Sequence, residues 1–387
     1  MRSIIVGQIQ SMIAIVFIAL IISTAASAKT LKVPSQYSTI QSAVNAAVPG
    51  DAIQVSAKPG NAPYSESVTV ATPSLSITAT GAVLDGGGAN GSGNGFTVEA
   101  NSVAITGFTI QNFIKNQTNL AENPRAGIYE LNVTSASIKN VTSIGNDQGC
   151  YIEGSLDLVI QNCTFSNNLE EGIRAVDGTS PSITNNTIKG NANGAGAFYA
   201  VAILGINGMA FTNNNMSNNA NGISVETAAQ GPNPPGVPPA LTATVSNNTV
   251  NNNSGESITV DGSYLVTVSN NLLSGNLFGI LVIDGSLQCT VANNVVSGTS
   301  LATYYNAGIL IGSGSTSCSV SNNIVDNNIS DGIDVLDSIG NTINNDIAIG
   351  NTSQGSVDAT DNTTDIGPHL NTWKNNIFGV TSPAGLK

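Results

Sequence analysis

The side chains best suited to chemistry lie close to recurring pairs of a glycine and an apolar residue between residues 125 and 199. If each pair begins a short strand, the second residue after the glycine points outward, and the two residues before it lie at the strand edge. These positions would form one patch across four neighbouring repeats. Its members are Arg125, Tyr129, Asp147, Tyr151, Glu170, Glu171, Arg174 and Tyr199, with Glu130 and Glu153 at the margin.

This patch has the chemistry of a saccharide site, because tyrosine rings stack on sugar faces while arginine and carboxylates bind hydroxyls or a uronate. We expect binding by Arg125, Tyr129, Tyr151 and Tyr199, and catalysis by Asp147, Glu170, Glu171 and Arg174. Two carboxylates could hydrolyse a glycosidic bond. Carboxylates holding calcium, with Arg174 as base or charge neutraliser, would suit β-elimination from a uronide. The alternative is a solvated face with salt bridges, such as Arg174 with Glu171 or Asp147.

A second column of carboxylates contains Asp177, Asp261, Asp284 and Asp337, most of them followed by glycine. Asp261 and Asp284 are 23 residues apart and are expected to stack directly. Stacked carboxylates repel one another unless they are hydrated or bridged, so calcium is a candidate ligand of this pair. Asp-Gly is also ordinary turn chemistry, which is the alternative interpretation.

Two of the four cysteines are spaced for a disulfide. Cys289 and Cys318 each precede the second Asn of their repeat by five residues. Equivalent residues of adjacent coils lie about 5 Å apart, which predicts a bond between these two cysteines. Cys150 takes an inward aliphatic position and is expected in the core, although a bond between Cys150 and Cys163 remains open.

These residues must be positioned by a repeat. An aliphatic residue, a spacer and two Asn recur, starting at Ile183, Phe211, Val245, Val268, Val291 and Val320, with a last copy at Trp373. Undisturbed steps are 22 or 23 residues, and longer steps contain insertions. A unit this short buries its apolar face only by stacking on its neighbours. The pattern predicts an all-β parallel solenoid of about 11–12 coils, in which Asn tolerates left-handed turns and forms an amide ladder.

The N-terminal region predicts a cap on the first coil. Ser38-Thr39-Ile40-Gln41 matches a capping box. An apolar stripe follows at Ile40, Ala43, Val44 and Ala47, and Gly50 is expected to end the helix. We therefore place an N-terminal strand and amphipathic helix cap at 29–50, the solenoid at 51–379 and a C-terminal tail at 380–387.

Residues 1–28 predict a secretory signal, with an apolar run from Met12 to Ile22 and Ala26-Ser27-Ala28 as the cleavage site. An uncleaved N-terminal anchor is the alternative. The expected location is secreted, periplasmic or at the cell surface. No stable membrane span is expected after cleavage.

Composition narrows the possible functions. Charged residues make up 9% of the chain, and the net charge is −13 with only 11 Lys and Arg. This balance argues against a coiled coil and against a nucleic-acid partner. A hydrophobic content of 41% argues against disorder.

The segment from Tyr37 to Ile53, together with the Gly-Ile and Asn-Asn coils, resembles secreted right-handed parallel β-helix proteins of the pectin-lyase-like superfamily. The resemblance covers essentially all of the chain after residue 28 and implies a single-stranded right-handed parallel β-helix. Asn328 to Asp334 superficially resembles one polygalacturonase segment, but the other polygalacturonase motifs are missing and His369 is the only histidine. The Lys and Arg-His pair of the alginate lyases and the Asp-Pro-His-Asp segment of the epimerases are also missing.

Three functions remain open. The first is an exported protein that binds polysaccharide and also cleaves it, as a lyase or a hydrolase. The second is a non-catalytic carbohydrate-binding module, and the third is a structural or adhesive protein that contacts cell-surface glycans. Insertions at 113–126, 227–241 and 298–306, the last with Tyr304 and Tyr305, border the patch, and solenoid loops often determine binding specificity.

Overall fold

The computed structural model describes residues 27–88, 93–115, 125–192, 198–226, 242–300, 307–351, 356–362, 370–384 and 386. The chain winds into a right-handed parallel β-solenoid with three parallel sheets, named A, B and C here, which run its whole length. It has about thirteen coils, slightly more than the 11–12 predicted.

Sheet A has 14 strands. They are Thr30–Val33, Ala52–Ser56, Ser76–Thr80, Ala104–Thr106, Ser137–Lys139, Val159–Gln161, Ser182–Thr184, Met209–Thr212, Ala243–Ser246, Val266–Ser269, Thr290–Ala292, Ser319–Ser321, Thr342–Asn344 and Thr372–Lys374. Sheet B has 12 strands. They are Val83–Asp85, Thr109–Gln111, Thr142–Ile144, Thr164–Ser166, Thr187–Lys189, Asn215–Ser217, Thr249–Asn251, Leu272–Ser274, Val295–Ser297, Ile324–Asp326, Ile347–Ile349 and Ile377–Phe378.

Sheet C has 13 strands and is the face that carries the predicted patch. Its strands are Val68–Val70, Phe96–Val98, Ala126–Leu131, Gln148–Glu153, Ile173–Val176, Tyr199–Leu204, Asn221–Glu226, Ile258–Asp261, Ile280–Ile283, Ala307–Ile311, Asp331–Leu336, Ala359–Asn362 and Thr381–Ser382. The last strand extends sheet C beyond residue 379, where the sequence placed the end of the solenoid.

Alternating side chains build one continuous core inside the three sheets. In sheet A, Ile105, Ile138, Ile160 and Ile183 are in register on successive coils and are fully buried. Their Ser, Thr and Lys neighbours on the same strands point outward. Each inward residue therefore packs on its equivalents in the coils before and after it, which is why no single coil is stable alone.

The two Asn of each repeat have different roles at the turn between sheets A and B. The first Asn takes the left-handed conformation, for example Asn185 at φ 58° and Asn247 at φ 57°. The second Asn is buried and donates its amide to the equivalent oxygen of the next coil, as Asn186 Nδ2 does to Asn214 Oδ1 at 3.0 Å. The ladder continues through Asn248, Asn271, Asn294, Asn323 and Asp346. The predicted amide ladder is confirmed.

Glycine is required near the start of the sheet C strands because neighbouring coils approach closely there, and not because the backbone has an unusual φ. A Cβ on Gly149 would lie 2.4 Å from the carbonyl oxygen of Gly172 in the next coil, which is shorter than the contact distances of real Cβ atoms. A larger residue at this position would push neighbouring coils apart.

The predicted N-terminal cap is confirmed as helix α1, Ile40–Ala46, which buries Ile40, Ala43 and Val44 against the first coils. The N-cap is Thr39 and its capping-box partner is Ser42, one residue later than the predicted Ser38 and Gln41. Gln41 instead binds the backbone of Thr69, so its side chain is used to join the helix to sheet C.

One 3₁₀ turn at Pro59–Asn61 is the other helical segment among the described residues. None of the described helices is long and apolar enough to cross a bilayer.

Candidate functional site

The outer face of sheet C carries an aromatic and cationic stack. Thr97, Tyr129, Tyr151, Arg174 and Ala202 are in register on five successive coils. The rings of Tyr129 and Tyr151 stack with centroids 5.1 Å apart and planes at 26°. The Arg174 guanidinium lies 5.9 Å from the Tyr151 ring centroid. In-register parallel pairing aligns these side chains along the solenoid axis, as the repeat predicted.

A cavity of about 580 Å³ opens over this stack. Its five coils span about 19 Å at the usual spacing of parallel strands. It is lined by Asn94, Tyr129, Gln148, Tyr151, Glu153, Glu170, Arg174 and Phe198. Aromatic rings, carboxylates, amides and a guanidinium therefore face the same space, as in sites that bind polar ligands with apolar faces.

Glu153 fixes the tyrosine pair. The Tyr129 hydroxyl donates to Glu153 Oε2 at 2.7 Å. Burial, followed by the Glu153 carboxylate, raises the pKa of both the Tyr129 and the Tyr151 phenol. Both phenols are therefore protonated at neutral pH and serve as hydrogen-bond donors rather than bases.

Glu171 organises the floor of the cavity from a buried position. It accepts hydrogen bonds from Gln148 Nε2 at 2.9 Å and from Arg174 Nη1 at 3.0 Å. The ion pair between Arg174 and Glu171 is one that the solvated-face alternative anticipated. Because a guanidinium is always protonated in proteins, Arg174 supplies positive charge to the wall and is not a base.

Glu170 lies at the cavity wall, where its carboxylate pairs with Lys115 Nζ at 3.1 Å. Burial raises the pKa of Glu170, and the Glu171 and Asp147 carboxylates add to this effect, while Lys115 opposes it. Lys115 lies in the insertion that follows the sheet B strand Thr109–Gln111. Because an insertion does not follow the repeat, the sequence did not predict that Lys115 reaches the site.

Asp147 is buried under the site and holds the backbone. Its Oδ2 accepts from the amide nitrogens of Lys115 at 2.6 Å and Arg125 at 3.0 Å. These two residues flank the segment 116–124, which lies outside the described residues. Asp147 therefore fixes both ends of the insertion.

The structure brings together four of the eight predicted site residues at the cavity wall, namely Tyr129, Tyr151, Glu170 and Arg174. Asp147 and Glu171 lie beneath the wall. Arg125 is also buried and donates from Nη1 to the carbonyl of Ile114. Tyr199 lies beyond the cavity, and its hydroxyl donates to Glu256 two coils further on.

Asn94, Gln148 and Phe198 also line this wall, although the predicted patch does not include them. Gln148 immediately precedes Gly149 and therefore takes the same strand-edge position as Glu171 before Gly172. Its Oε1 atom is buried without a hydrogen-bond partner.

Glu130, expected at the margin, points inward. It is in register with Val98 and Ile152, is 1% exposed and has an unpartnered Oε2 atom. Strand alternation explains the error, because the third residue after the glycine returns to the core side. Burial raises the pKa of Glu130 to about 8.

The expectation that Asp261 and Asp284 stack directly is wrong by one residue. Asp261 pairs with Ile283, and Asp284 follows the end of that strand. The two carboxyl groups still interact, because burial and then the Asp284 and Glu226 charges raise the pKa of Asp261 to about 6. In the described part of the chain, no three acidic, His or Cys side chains are arranged to hold a metal ion.

The predicted disulfide is not formed, and all four cysteines are free, buried thiols. Cys289 and Cys318 do occupy equivalent positions of adjacent coils, since the residues after them pair as Thr290 with Ser319. The two thiols still face each other, because a hydrogen bond between them raises the pKa of Cys289 and lowers that of Cys318. Each thiol also lies near backbone carbonyls, as Cys318 Sγ does 3.4 Å from Thr316 O. Cys150 takes the predicted core position between Ile128 and Ile173.

Several predictions fall outside the described residues. They concern the signal segment up to residue 26, the Pro-rich insertion at 227–241, Tyr304, Tyr305 and His369.

Comparison with known proteins identifies the fold. Three overlapping stretches, 80–234, 127–296 and 199–377, match the family model for the right handed beta helix region. The comparison with curated proteins finds no match.

Solved structures with the same fold differ in what they do. The mannuronan C-5 epimerase AlgE6 A-module of Azotobacter vinelandii aligns with a TM-score of 0.64 and 13% identity, over 88% of this chain and 95% of that one. A family 28 exopolygalacturonase of Yersinia enterocolitica gives 0.60 and 11%, over 90% and 78%. PfbA, a surface adhesin of Streptococcus pneumoniae, gives 0.58 and 14%, over 86% and 91%. At these identities the likeness shows the fold alone, and with the family match it establishes that this chain belongs to the right-handed β-helix family.

Proposed function

We propose that this protein binds saccharides in the cavity over the outer face of sheet C, outside the cytoplasm. The observation that carries the proposal is the wall of the cavity, where a stacked pair of tyrosine rings lies beside carboxylate, amide and guanidinium groups over five coils. Saccharides present apolar ring faces and hydroxyls together, and therefore need both kinds of partner. A signal-like N-terminus and the likeness to a surface adhesin support the location.

The wall offers a place for a sugar ring beside Tyr129. One face of the Tyr129 ring stacks on the Tyr151 ring. On its other side, the preceding coil presents only the short side chain of Thr97 in register. The cavity extends in that direction as far as Asn94. Glu153 and Gln148 lie at the same wall, and the Glu153 carboxylate can accept a hydrogen bond from a sugar hydroxyl.

Calorimetric titration of the purified protein with pectic, alginate and neutral oligosaccharides tests the proposal. We expect Tyr129→Ala to weaken binding about tenfold, since ring packing on a ligand is worth about 1 kcal/mol or more. Tyr264→Ala is the matched control, because Tyr264 is also partly buried but does not line the cavity. Absence of binding across the panel, or equal losses in both variants, would contradict the proposal.

Hydrolysis is a second candidate, favoured by one observation. A carboxyl group whose pKa is raised by burial, Glu170, shares the cavity with a second carboxylate, Glu153. One acid and one carboxylate are the groups that cleave glycosidic bonds in most glycoside hydrolases. Reducing ends released without unsaturated product, and lost in Glu170→Gln, would support hydrolysis. Unsaturated uronide that disappears with chelator would instead support a calcium-dependent lyase.

A further inference from the structure

Beyond the cavity, the outer face of sheet C carries carboxylates and no cation. Glu226 and Asp261 are in register on neighbouring coils, and Asp284 follows on the next coil. The chain contains no Lys or Arg between Lys189 and Lys374, so this stretch has no cationic side chain of its own. These three carboxylates are all at least partly exposed to solvent.

One coil separates the Arg174 coil from this acidic segment, and it presents Ala202 and Leu204 in register with Ser224 and Glu226. Phe198 lines the end of the cavity, and the next residue, Tyr199, donates its hydroxyl to Glu256. Glu256 also accepts a hydrogen bond from Thr259, two residues before Asp261, at 2.6 Å. A chain molecule lying along the solenoid axis would therefore extend from the tyrosine stack across one coil to the carboxylates.

The two cations at the cavity itself are already neutralised. Arg174 pairs with Glu171, and Lys115 pairs with Glu170. Glu153 is bound by the uncharged Tyr129 hydroxyl. A uronide would have to compete with these internal carboxylates and approach further ones on the next coils, which like-charge repulsion disfavours.

We propose that the ligand of this face is a polysaccharide that carries free amino groups, with its sugar rings over the tyrosine stack and its ammonium groups on Glu226, Asp261 and Asp284. This inference rests on the proposed function and names the chemical class of its ligand. Ammonium groups match carboxylates by charge and by hydrogen bonding. They also bind tyrosine faces through cation–π attraction.

Binding to four probes tests this inference, each measured by calorimetric titration at low and high salt. The probes are an oligomer of glucosamine, the same oligomer with all amines acetylated, oligogalacturonate and polylysine. We expect the amine oligomer to bind more tightly than its acetylated form and to lose affinity as salt rises. Binding should also weaken below pH 6, where Asp261 becomes protonated beside Glu226, Asp284 and Glu256, although the ligand gains charge there.

Two variants locate the effect. Asp261→Asn and Glu226→Gln should each weaken binding of the amine oligomer about two- to fivefold, the range for exposed ion pairs. Neither should change binding of the acetylated oligomer. Asp326→Asn is the control, because Asp326 belongs to the same cation-free stretch but lies in sheet B.

The outcomes separate the two proposals. Equal affinity for the amine and acetylated oligomers overturns the amino-sugar inference and leaves saccharide binding intact. No saccharide binding overturns both. Polylysine binding that matches the amine oligomer and is lost in Asp261→Asn identifies a basic peptide site and overturns the inference. Release of the amine oligomer by micromolar calcium would overturn it in favour of a metal site.

Discussion

The turn between sheets A and B and the outer face of sheet C are built by the same repeat but follow different rules. At the turn, a buried amide recurs from Asn186 to Asn323 and hydrogen-bonds from coil to coil. On the outer face, the equivalent position changes from Tyr151 to Arg174 to Ala202 over three coils.

Burial explains the difference. A buried amide needs partners for its polar atoms, and here the next ladder side chain and a backbone carbonyl supply them, as Asn271 Oδ1 and Phe211 O do for Asn248 Nδ2. An outward position has water as its partner, so its side chain can change with function. Buried polar atoms without partners, such as Glu130 Oε2 and Asp334 Oδ1, are the exceptions to the first rule.

The largest expected effect comes from Glu130, which breaks the rule that buried polar groups have partners. Its pKa is about 8 in the folded protein against the usual 4.5, so the folded state binds the proton more tightly. The stabilisation that comes from binding the Glu130 proton is therefore fully present below pH 4.5 and is lost as the pH rises to 8. Since each pH unit is worth about 1.4 kcal/mol, the free energy of unfolding should fall by roughly 5 kcal/mol over this interval.

Urea denaturation at a series of pH values measures this loss. Glu130→Gln cannot ionise and should lose the part of the slope that Glu130 contributes between pH 4.5 and 8, while the buried Asp334, whose pKa burial also raises to about 8, keeps its own part. Glu130→Leu should lose the same part of the slope and also be more stable, because it removes the unpartnered oxygen from an aliphatic column. An unchanged slope in both variants would show that another group controls the pH dependence.

The ladder predicts that replacing two adjacent asparagines by alanine lowers the free energy of unfolding by very different amounts. Asn248→Ala removes the acceptor of the Asn214 amide and the donor to Phe211 O, and we expect a loss of about 3 kcal/mol. Asn247→Ala only places alanine in a left-handed conformation, at a cost of about 1 kcal/mol. Chemical denaturation of both variants checks the comparison. Equal losses would mean that the amide ladder contributes little.

The same contrast explains what the sequence could predict. The parallel solenoid and the ladder follow from periodic spacing, because each depends on neighbours at a fixed distance, and the cap follows from its apolar stripe. The number of sheets does not follow, since a repeat of 22 or 23 residues accommodates two or three short strands. Tyr129, Tyr151 and Arg174 were placed correctly, since alternation determines direction within a strand. Lys115 and Asn94 were missed because they lie outside the regular strands, where spacing carries no geometric information.

The register of Asp261 was lost for a related reason. The 23-residue spacing of the two Asp-Gly pairs predicts that Asp261 and Asp284 are equivalent, but Asp261 is in register with Ile283, the residue before Asp284. A glycine at a turn marks a conformation, and the apolar residues inside the strand determine the register.

The smallest expected effect concerns Cys163 and Cys318, whose backbone amides bind asparagine side chains of the next coil as those of ladder asparagines do. Cys163 N donates to Asn186 Oδ1, and Cys318 N donates to Asn341 Oδ1, as the amides of ladder asparagines do. The Cys318 thiol points at Ser286 O from a position similar to that of the Asn341 amide, which donates to Ser315 O. Cys318→Asn should therefore be tolerated.

We expect Cys318→Asn to change the free energy of unfolding by less than about 1 kcal/mol, because one polar donor replaces another against the same carbonyl. Reductant should leave the unfolding of the wild-type protein unchanged, since the thiols are not bonded. Cys318→Val is the matched comparison: it keeps the volume roughly constant but leaves Ser286 O without this donor. If valine is tolerated better than asparagine, the thiol acts only as an apolar filler and the ladder does not extend to this position.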